Sequence, residues 1–575
     1  MEMQDKAIVW DHSVDVVVVG SGNGALTAAL CCYEMDTTDV LIIEKTDQYG
    51  GSSSIGGGGV WIPCSHYAKQ AGATDDTLEE ALTYLKNTVP PGATSEDMLR
   101  TYLEAGPKML RFMDDRTHMS YVSLGEYPDY YTSIEGAREG HRSMEPEPFK
   151  ITALENRGDL LRPTHPMMYM MDHIPISQKD AHILIGQLKG WMLLGAKLAL
   201  QYFLDIPQRL RTKRSRKATC GSAGVGRLAL SVQERKIPLW LNTEMLDLIM
   251  DGERVVGIRA RKDGVEMNIR GTRAVILASG GFENNQAMRE KYLPHPTNAS
   301  WSSGNKGNTG LPIEKAMAKG AACKGMDGAW WCTTYHVPGK GYPFLSIMEK
   351  SYPGSCVVNK HGKRVANESM NYQAYVQKCF EVRKDNIDVD ELWMVFDARF
   401  RANYIVGPMM TSKLLPDKKL PKELFCDEFL TMADSIDALA DKIGIDKANL
   451  NETINNMTAY AKTGEDLEFK RGSYAYDRYY GDPEVTPNNC LAPMVQPPYY
   501  AVRLSLGDFG THGGLLVNEN AQVLREDESI LEGLYATGNC SAPLLPSYPG
   551  PGATLGPAMT FAYQAAKSIT GYTDQ

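Results

Sequence analysis

Gly20, Ser21, Gly22, Gly24 and Ala25, followed by Glu44 twenty residues past Gly24, are spaced to hold an ADP-containing cofactor. Gly20 allows a tight turn, and Gly22 lets backbone approach a pyrophosphate. Ala25 is the third small residue, where helix and strand must pack closely. The pyrophosphate then lies at a helix N-terminus, where free N–H groups and the helix dipole favour an anion. Glu44, followed by Lys45, is placed to accept hydrogen bonds from an adenosine ribose. A second small-residue run, Gly50-Gly51-Ser52-Ser53-Ser54 and then Gly56 to Gly59, with Gly58 inside it, lets backbone lie flat against a planar ligand. Its hydroxyls can meet phosphates. An ordinary flexible loop is the alternative for this run.

The elements that must position these residues are legible around them. Val16 to Val19 is a short apolar strand, Leu26 to Met35 a small-residue helix, and Val40 to Ile43 a second strand ending at Glu44. Thr77 can cap a helix beginning at Leu78, and Ser95 a second one running through Met109 and Phe112. An aromatic loop follows (Tyr127-Pro128-Asp129-Tyr130-Tyr131), then Gly140-His141-Arg142-Ser143-Met144-Glu145 and Pro148-Phe149. Between Leu184 and Lys217 an apolar stretch precedes Arg209, Arg211, Lys213, Arg214, Arg216 and Lys217. It reads either as a core helix with a solvated basic tail or as a peripheral contact with an anionic membrane surface. Past a helix at Gly221 to Leu230, strands are expected at 239–241, 246–250, 254–258 and 274–278, the last running into Ser279-Gly280-Gly281-Phe282. Asn359 to Gly362 reads as a hairpin turn. The polar stretch from Leu414 to Lys462 reads as peripheral.

Composition narrows the partners. The 575 residues suffice for two or more domains, and 43% hydrophobic with 23% charged residues is ordinary for a globular chain. A net charge of −10 argues against nucleic acid. The eleven cysteines form no Cys-x-x-Cys pair, so buried free thiols in a reducing cytoplasm are expected, with no metal site. The first strand starts near Val14, leaving no room for a charged and apolar leader, and no run of about 18 apolar residues suggests a membrane span.

The nucleotide unit with Glu44-Lys45 and Gly50-Gly51-Ser52-Ser53 resembles the flavoprotein family of fumarate reductases, succinate dehydrogenases and 3-ketosteroid dehydrogenases, whose cofactor is FAD. Leu277 to Gly281 is similar to the strand end at which such chains leave the FAD domain. Thr511-His512-Gly513-Gly514, Thr537-Gly538-Asn539 and Ala553-Thr554-Leu555 match the family's C-terminal cofactor segments, the last opening a helix toward the flavin. The resemblance implies an α/β fold of the two-dinucleotide-fold type, with an inserted α+β catalytic domain capping the substrate. The FAD-binding domain then takes 1–284 and 495–575, and the catalytic domain 285–494.

Within that family the fumarate reductases need an arginine four residues after an Asn-Glu motif and a histidine before Thr-x-Gly-Gly. Here those positions are Tyr372 and Gly510. The 3-ketosteroid Δ1-dehydrogenases are the better match: Tyr548-Pro549-Gly550-Pro551-Gly552 resembles their Tyr-Pro-Gly-x-Gly, and Tyr372 and Tyr130 fall in their tyrosine motifs. His141 is an extra residue in the Gly-Arg-Ser segment. The resemblance implies that Tyr548 and the Gly552 N–H hold the C3 ketone oxygen and stabilise the enolate. Tyr372 takes the C2 proton and the flavin the C1 hydride. Ionising a free tyrosine at pH 7 costs roughly 4 kcal/mol, a cost that a Tyr130 hydrogen bond to Tyr372 would lower. Neighbouring Tyr127, Tyr131 and Tyr375 are the alternatives. A quinone-like or dye-like external acceptor is implied as well. Kept open are a Δ4-(5α)-3-ketosteroid dehydrogenase, a fumarate-reductase-like enone reductase, and a flavin binder without turnover.

Since the Gly50 loop has no histidine to tether a flavin, FAD should be held non-covalently. Acid precipitation of the purified yellow protein is expected to leave the flavin in the supernatant; a yellow pellet would contradict this.

Overall fold

The computed structural model describes residues 8–574. Its first sheet is built on the apolar runs of the nucleotide unit. The strand His12–Val19 pairs in parallel with Val40–Ile43 on one side and Val265–Leu277 on the other. Val16 to Val18 and Leu41 to Ile42 are completely buried, because helices cover these strands and leave no solvent face to alternate with. Leu239–Trp240 extends one edge, and the antiparallel strands Arg254–Lys262 and Thr243–Asp251 extend the other. Ile530–Ala536 returns late in the chain to pair in parallel with Val275 to Leu277. Three helices, Asn23–Glu34, Cys220–Glu234 and Leu555–Thr570, share the core beside this sheet. Their small residues let the backbones approach closely. Thr77 and Ser95 cap the helices Leu78–Thr88 and Glu96–Arg116 through their side-chain oxygens.

The second sheet is antiparallel, with Tyr499–Thr511 at its centre. That strand pairs with Ala329–Tyr335, Leu392–Asp397 and Leu430–Ala433, and Ser355–Asn359 adds to the edge. This corrects one boundary: residues 499–511 serve the second sheet, although 495–575 reads as a return to the first. First-sheet pairing resumes at Gln522–Leu524. The Thr511-His512-Gly513-Gly514 motif sits where the strand ends, and a motif there does not reveal which sheet the strand has joined. The stretch read as peripheral instead supplies a packed layer. Leu439, Leu450, Ile454 and Met457, from the helices Ile436–Ile443 and Lys447–Thr463, cover Cys356, Val358 and Val395. The turn at Asn359 forms, with Gly362 at φ +73° and its N–H on the Asn359 carbonyl at 2.9 Å. The returning strand shrinks to one bridge, Val358 to Arg364.

The core-helix reading of 184–217 is also corrected. In the helix Trp191–Phe203 only Leu198 and Tyr202 are buried. Met192, Leu193, Leu200 and Phe203, then Leu204, Ile206 and Leu210, face outward, with Leu193 77% and Leu210 83% exposed. Among the described residues, no helix is long and apolar enough to cross a membrane.

Arg364 turns inward because a buried ion cluster receives it. Its guanidinium donates to Glu368 at 2.7 and 2.8 Å and to Asp466 at 2.9 and 3.1 Å. Arg471 completes the cluster, reaching Glu368 at 3.3 Å and the carbonyls of Lys350, Ser351, Tyr352 and Ser355. Burial alone would raise the Glu368 carboxyl, but Arg364 and Arg471 together hold it below the ordinary range. This cluster fixes the segment that leads into the helix Tyr372–Lys384. Glu368→Ala leaves two buried guanidinium groups short of charge and should destabilise the fold by about 3–5 kcal/mol in urea unfolding. An unchanged midpoint would show that the cluster contributes no stability.

Candidate active site

The glycine positions behave as tight-approach sites. Gly20 has φ +115°, and a Cβ there would collide with the Ala278 carbonyl. Ser21 donates to Glu44 Oε2 at 2.5 Å and accepts from Gly50 N at 3.0 Å, tying the first turn to the second small-residue run. Thr46 holds the other Glu44 oxygen through its N–H at 3.0 Å and its hydroxyl at 2.8 Å. Lys45 donates to Thr309 Oγ1 at 3.1 Å, its pKa lowered by burial. Ser53 Oγ accepts from Asn23 N at 3.0 Å, and Ser52 Oγ from Asn305 N and Asn308 Nδ2, both at 3.1 Å.

Apart from Asn23, Thr46 and Gly50, these residues line one cavity of about 370 Å³, a size that suits an organic ligand. Of the expected cofactor residues, Gly20, Ser21, Gly22, Gly24, Glu44, Lys45, Gly51, Ser52, Ser53, Gly58, Ser279, Gly280, Gly538, Asn539, Thr554 and Leu555 reach its wall. Ala25 lies in the helix core instead, and Ala553 lines a smaller neighbouring cavity. Ser279 Oγ is buried with no partner among the described residues. An orphaned donor in a glycine-lined wall fits a phosphate-bearing dinucleotide. The wall at Asn305, Gly307, Asn308 and Thr309 was not read from the sequence. Its signal is Gly304-Asn305-Lys306-Gly307-Asn308-Thr309-Gly310, a glycine and asparagine run of the kind that lines ligands with backbone.

The same cavity collects Tyr130, Tyr372, Tyr548 and Gly552. The Tyr130 hydroxyl donates to the Tyr372 hydroxyl at 2.7 Å. The Tyr548 ring lies 5.6 Å from Tyr130 and 5.8 Å from Tyr372, with Phe509 and Trp330 packed beside it. Tyr372 opens its helix next to Asn371, which caps Ala374 N at 2.8 Å and donates to the Tyr130 carbonyl at 3.3 Å. Tyr548 has φ +58°, an uncommon conformation for a residue with a side chain, and Gly552 has φ +97°. A Cβ on Gly552 would stand 2.6 Å from backbone atoms of Gly59 and Val60. Asp129, next to Tyr130, accepts from Trp61 Nε1 at 2.7 Å and from Arg142 at 2.8 Å. This is what the Gly-x-Arg-Ser segment is for: Arg142 also holds Asp76 at 2.7 Å, and the extra His141 is absorbed at φ +70°. Of the competing tyrosines, Tyr131 donates to the Ser547 carbonyl at 2.6 Å, Tyr127 shares a 2.6 Å hydrogen bond with Tyr480, and Tyr375 lies in the second sheet's core.

Burial raises all three central hydroxyls. Tyr130 and Tyr372 are pushed well above the ordinary tyrosine value by burial and then by neighbouring tyrosines. Tyr548 is pushed up to about 12 by burial, with Tyr372 partly offsetting the rise. The Tyr130 hydrogen bond does lower Tyr372, but burial outweighs it.

The first sheet with its parallel centre, its glycine cradle and the inserted second sheet define a dinucleotide-binding flavoprotein fold. The chain belongs to the FAD binding domain family, whose model matches residues 15–555, and its cofactor is FAD. It is 37% identical to the 3-oxosteroid 1-dehydrogenase of Mycobacterium tuberculosis over 96% of this chain and 98% of that one. It is 33% identical to the 4-oxocyclohexanecarboxylate 2-dehydrogenase of Sinomonas cyclohexanicum, over 97% and 93%. The crystal structure of a 3-ketosteroid Δ1-dehydrogenase from Sterolibacterium denitrificans, in complex with 1,4-androstadiene-3,17-dione, superposes with a TM-score of 0.94 at 40% identity, covering 97% of this chain and all of that one.

Proposed function

We propose that the chain is an FAD-dependent 3-ketosteroid Δ1-dehydrogenase. The observation that carries the reading is the 2.7 Å contact between the Tyr130 and Tyr372 hydroxyls, in a cavity shared with Tyr548 and Gly552. Bound FAD supplies the acceptor for the C1 hydride. The Tyr548 hydroxyl and Gly552 N–H donate to the C3 ketone oxygen, taking up charge as the enolate develops. A hydroxyl with a pKa of about 12 stays protonated at neutral pH, as that donor role requires. Tyr372 removes the C2 proton, and Tyr130 donates a hydrogen bond to the ionised form of that base. Phe509, Trp330, Tyr127, Leu345 and Met348 offer the ring system apolar walls. Lys45, the only lysine or arginine among the lining residues, stands in the nucleotide part beside Glu44. A neutral polycyclic ketone therefore suits this cavity better than a small oxo-acid, which would want a cation. A quinone-like or dye-like acceptor takes the electrons after each turnover.

We further propose that the outward face of 191–210 rests on an anionic membrane surface. Seven exposed apolar side chains stand beside Arg209, Arg211 and Lys213. The neighbouring helix Gln178–Ile185 lines the cavity through Gln178, Ala181, His182 and Ile185, so the face that meets lipid lies close to the substrate wall.

Tyr372→Phe deletes only the hydroxyl. It should lower kcat by at least ~10²-fold with KM little changed, and Tyr548→Phe should slow turnover by roughly 10²-fold. The wild-type rate should rise with pH, because burial holds Tyr372 above the ordinary value and its ionised form grows only toward alkaline conditions. A Tyr372→Phe protein that reduces its flavin at the wild-type rate with a 3-ketosteroid would sink the assignment. For the surface, anionic liposomes should sediment the protein at low salt and release it at high salt. Equal partition onto neutral vesicles would remove the basic residues from the proposal.

A further inference from the structure

Glu283 ends the Gly280-Gly281-Phe282 turn and is completely buried behind the cofactor wall. Its carboxyl packs directly on glycine backbone: a Cβ on Gly281 would stand 2.9 Å from Oε2, and one on Gly304 would also run into the carboxyl. Gly280, Gly304 and Asn308 line the cavity on the other side. Glu283 Oε1 accepts from Asn308 Nδ2 at 2.7 Å, and the same nitrogen donates to Ser52 Oγ at 3.1 Å. The acid is thus two hydrogen bonds from a cradle hydroxyl. Arg289 Nη1 instead takes Asp508 Oδ2 at 2.8 Å and the Glu283 backbone carbonyl at 3.2 Å. The guanidinium therefore neutralises Asp508 and leaves the Glu283 carboxyl without an ion-pair partner. The charged groups facing Glu283 are Asp508 from the strand Tyr499–Thr511, Arg289 from the helix Gln286–Tyr292, and the more distant Lys45 and Lys306. Thr511 N approaches Oε2 at 3.5 Å. Burial, with Asp508 adding to it, lifts the carboxyl to about 8, so it keeps its proton at neutral pH.

We propose that Glu283 is a positioning residue for the FAD cradle that serves only in its neutral form, and that its ionisation loosens the cofactor. Once ionised, it sets a negative charge behind the wall that faces a cofactor already carrying a pyrophosphate dianion. The ionised carboxylate also draws Asn308 away from Ser52, because a charged acceptor competes better for the shared N–H. FAD affinity is full while the carboxyl keeps its proton and falls as pH rises through about 8.

The test is FAD retention by the holoenzyme, read as flavin fluorescence in an ultrafiltrate at about pH 7 and about pH 9.5, with far-UV circular dichroism to establish that the chain stays folded. The apparent Kd of the wild type should rise about ten-fold between the two. Glu283→Gln, neutral at every pH, should show no rise. Glu283→Ala should bind FAD more weakly at both values, since Asn308 loses its acceptor, and should also be flat. A wild type that retains FAD equally at both values, or a neutral variant that follows the wild-type rise, would overturn the proposal. Because the readout is cofactor retention, it stands apart from whether any ketosteroid is turned over.

Discussion

The carbonyl oxygen of Pro549 accepts two hydrogen bonds, from the Tyr84 hydroxyl at 2.6 Å and from Tyr130 N at 2.8 Å, and the arrangement of the site depends on that oxygen. Through it, the loop bearing Tyr548 and Gly552 is fixed to the segment bearing Tyr130, and Tyr130 in turn meets Tyr372 from the second sheet's side. Three distant parts of the chain converge at one acceptor. The left-handed backbone at Tyr548 costs on the order of 1–3 kcal/mol, an amount that two or three buried hydrogen bonds can offset. Tyr131, donating to Ser547, adds the third bond. Behind them, the ion pair of Asp129 with Arg142, closed off by Trp61, prevents the Tyr130 segment from relaxing away. The tyrosine cluster is therefore held in place by its backbone anchors as much as by contacts among the rings.

Burial acts on the cluster in two opposite ways. It keeps Tyr548 protonated, which suits a donor, and it opposes ionisation of Tyr372, which a base requires. The single hydrogen bond from Tyr130 favours the ionised Tyr372 hydroxyl but lacks the magnitude to cancel desolvation by several packed rings. In the proposed reaction, two donors on the ketone oxygen would acidify the adjacent C–H, so part of the burden would shift from the base to the substrate.

What could be read beforehand followed from local chemistry. Val16 to Val19, Gly20, Gly22 and Glu44 carry their own geometric requirements, and Thr77 and Ser95 mark helix starts because a hydroxyl there satisfies a free N–H. Gly538, Asn539, Thr554 and Leu555 were found through resemblance to the family's C-terminal segments. Tyr372 and Tyr130 were found only through resemblance, since nothing in a lone tyrosine distinguishes it among the 29 present. Sheet membership of Tyr499–Thr511 depends on partners distant in the chain, and no local pattern encodes it. The outward face of Trp191–Phe203 misled for a related reason: apolar composition normally signals a core, and only three-dimensional neighbours reveal that this helix has few.

The first sheet is closed by Ile530–Ala536, which pairs with Val275 to Leu277 across nearly half the chain. On a ribosome, the N-terminal strands and their helix emerge long before that partner exists. The edge of Val265–Leu277 and the apolar side of Asn23–Glu34, later covered by Leu555–Thr570, must then wait exposed while the second sheet is made. Such late, non-local closure slows folding and leaves nascent chains open to aggregation. The last strand and helix therefore act as a completion check, so that a chain cut short before residue 530 leaves the nucleotide cradle without its final wall.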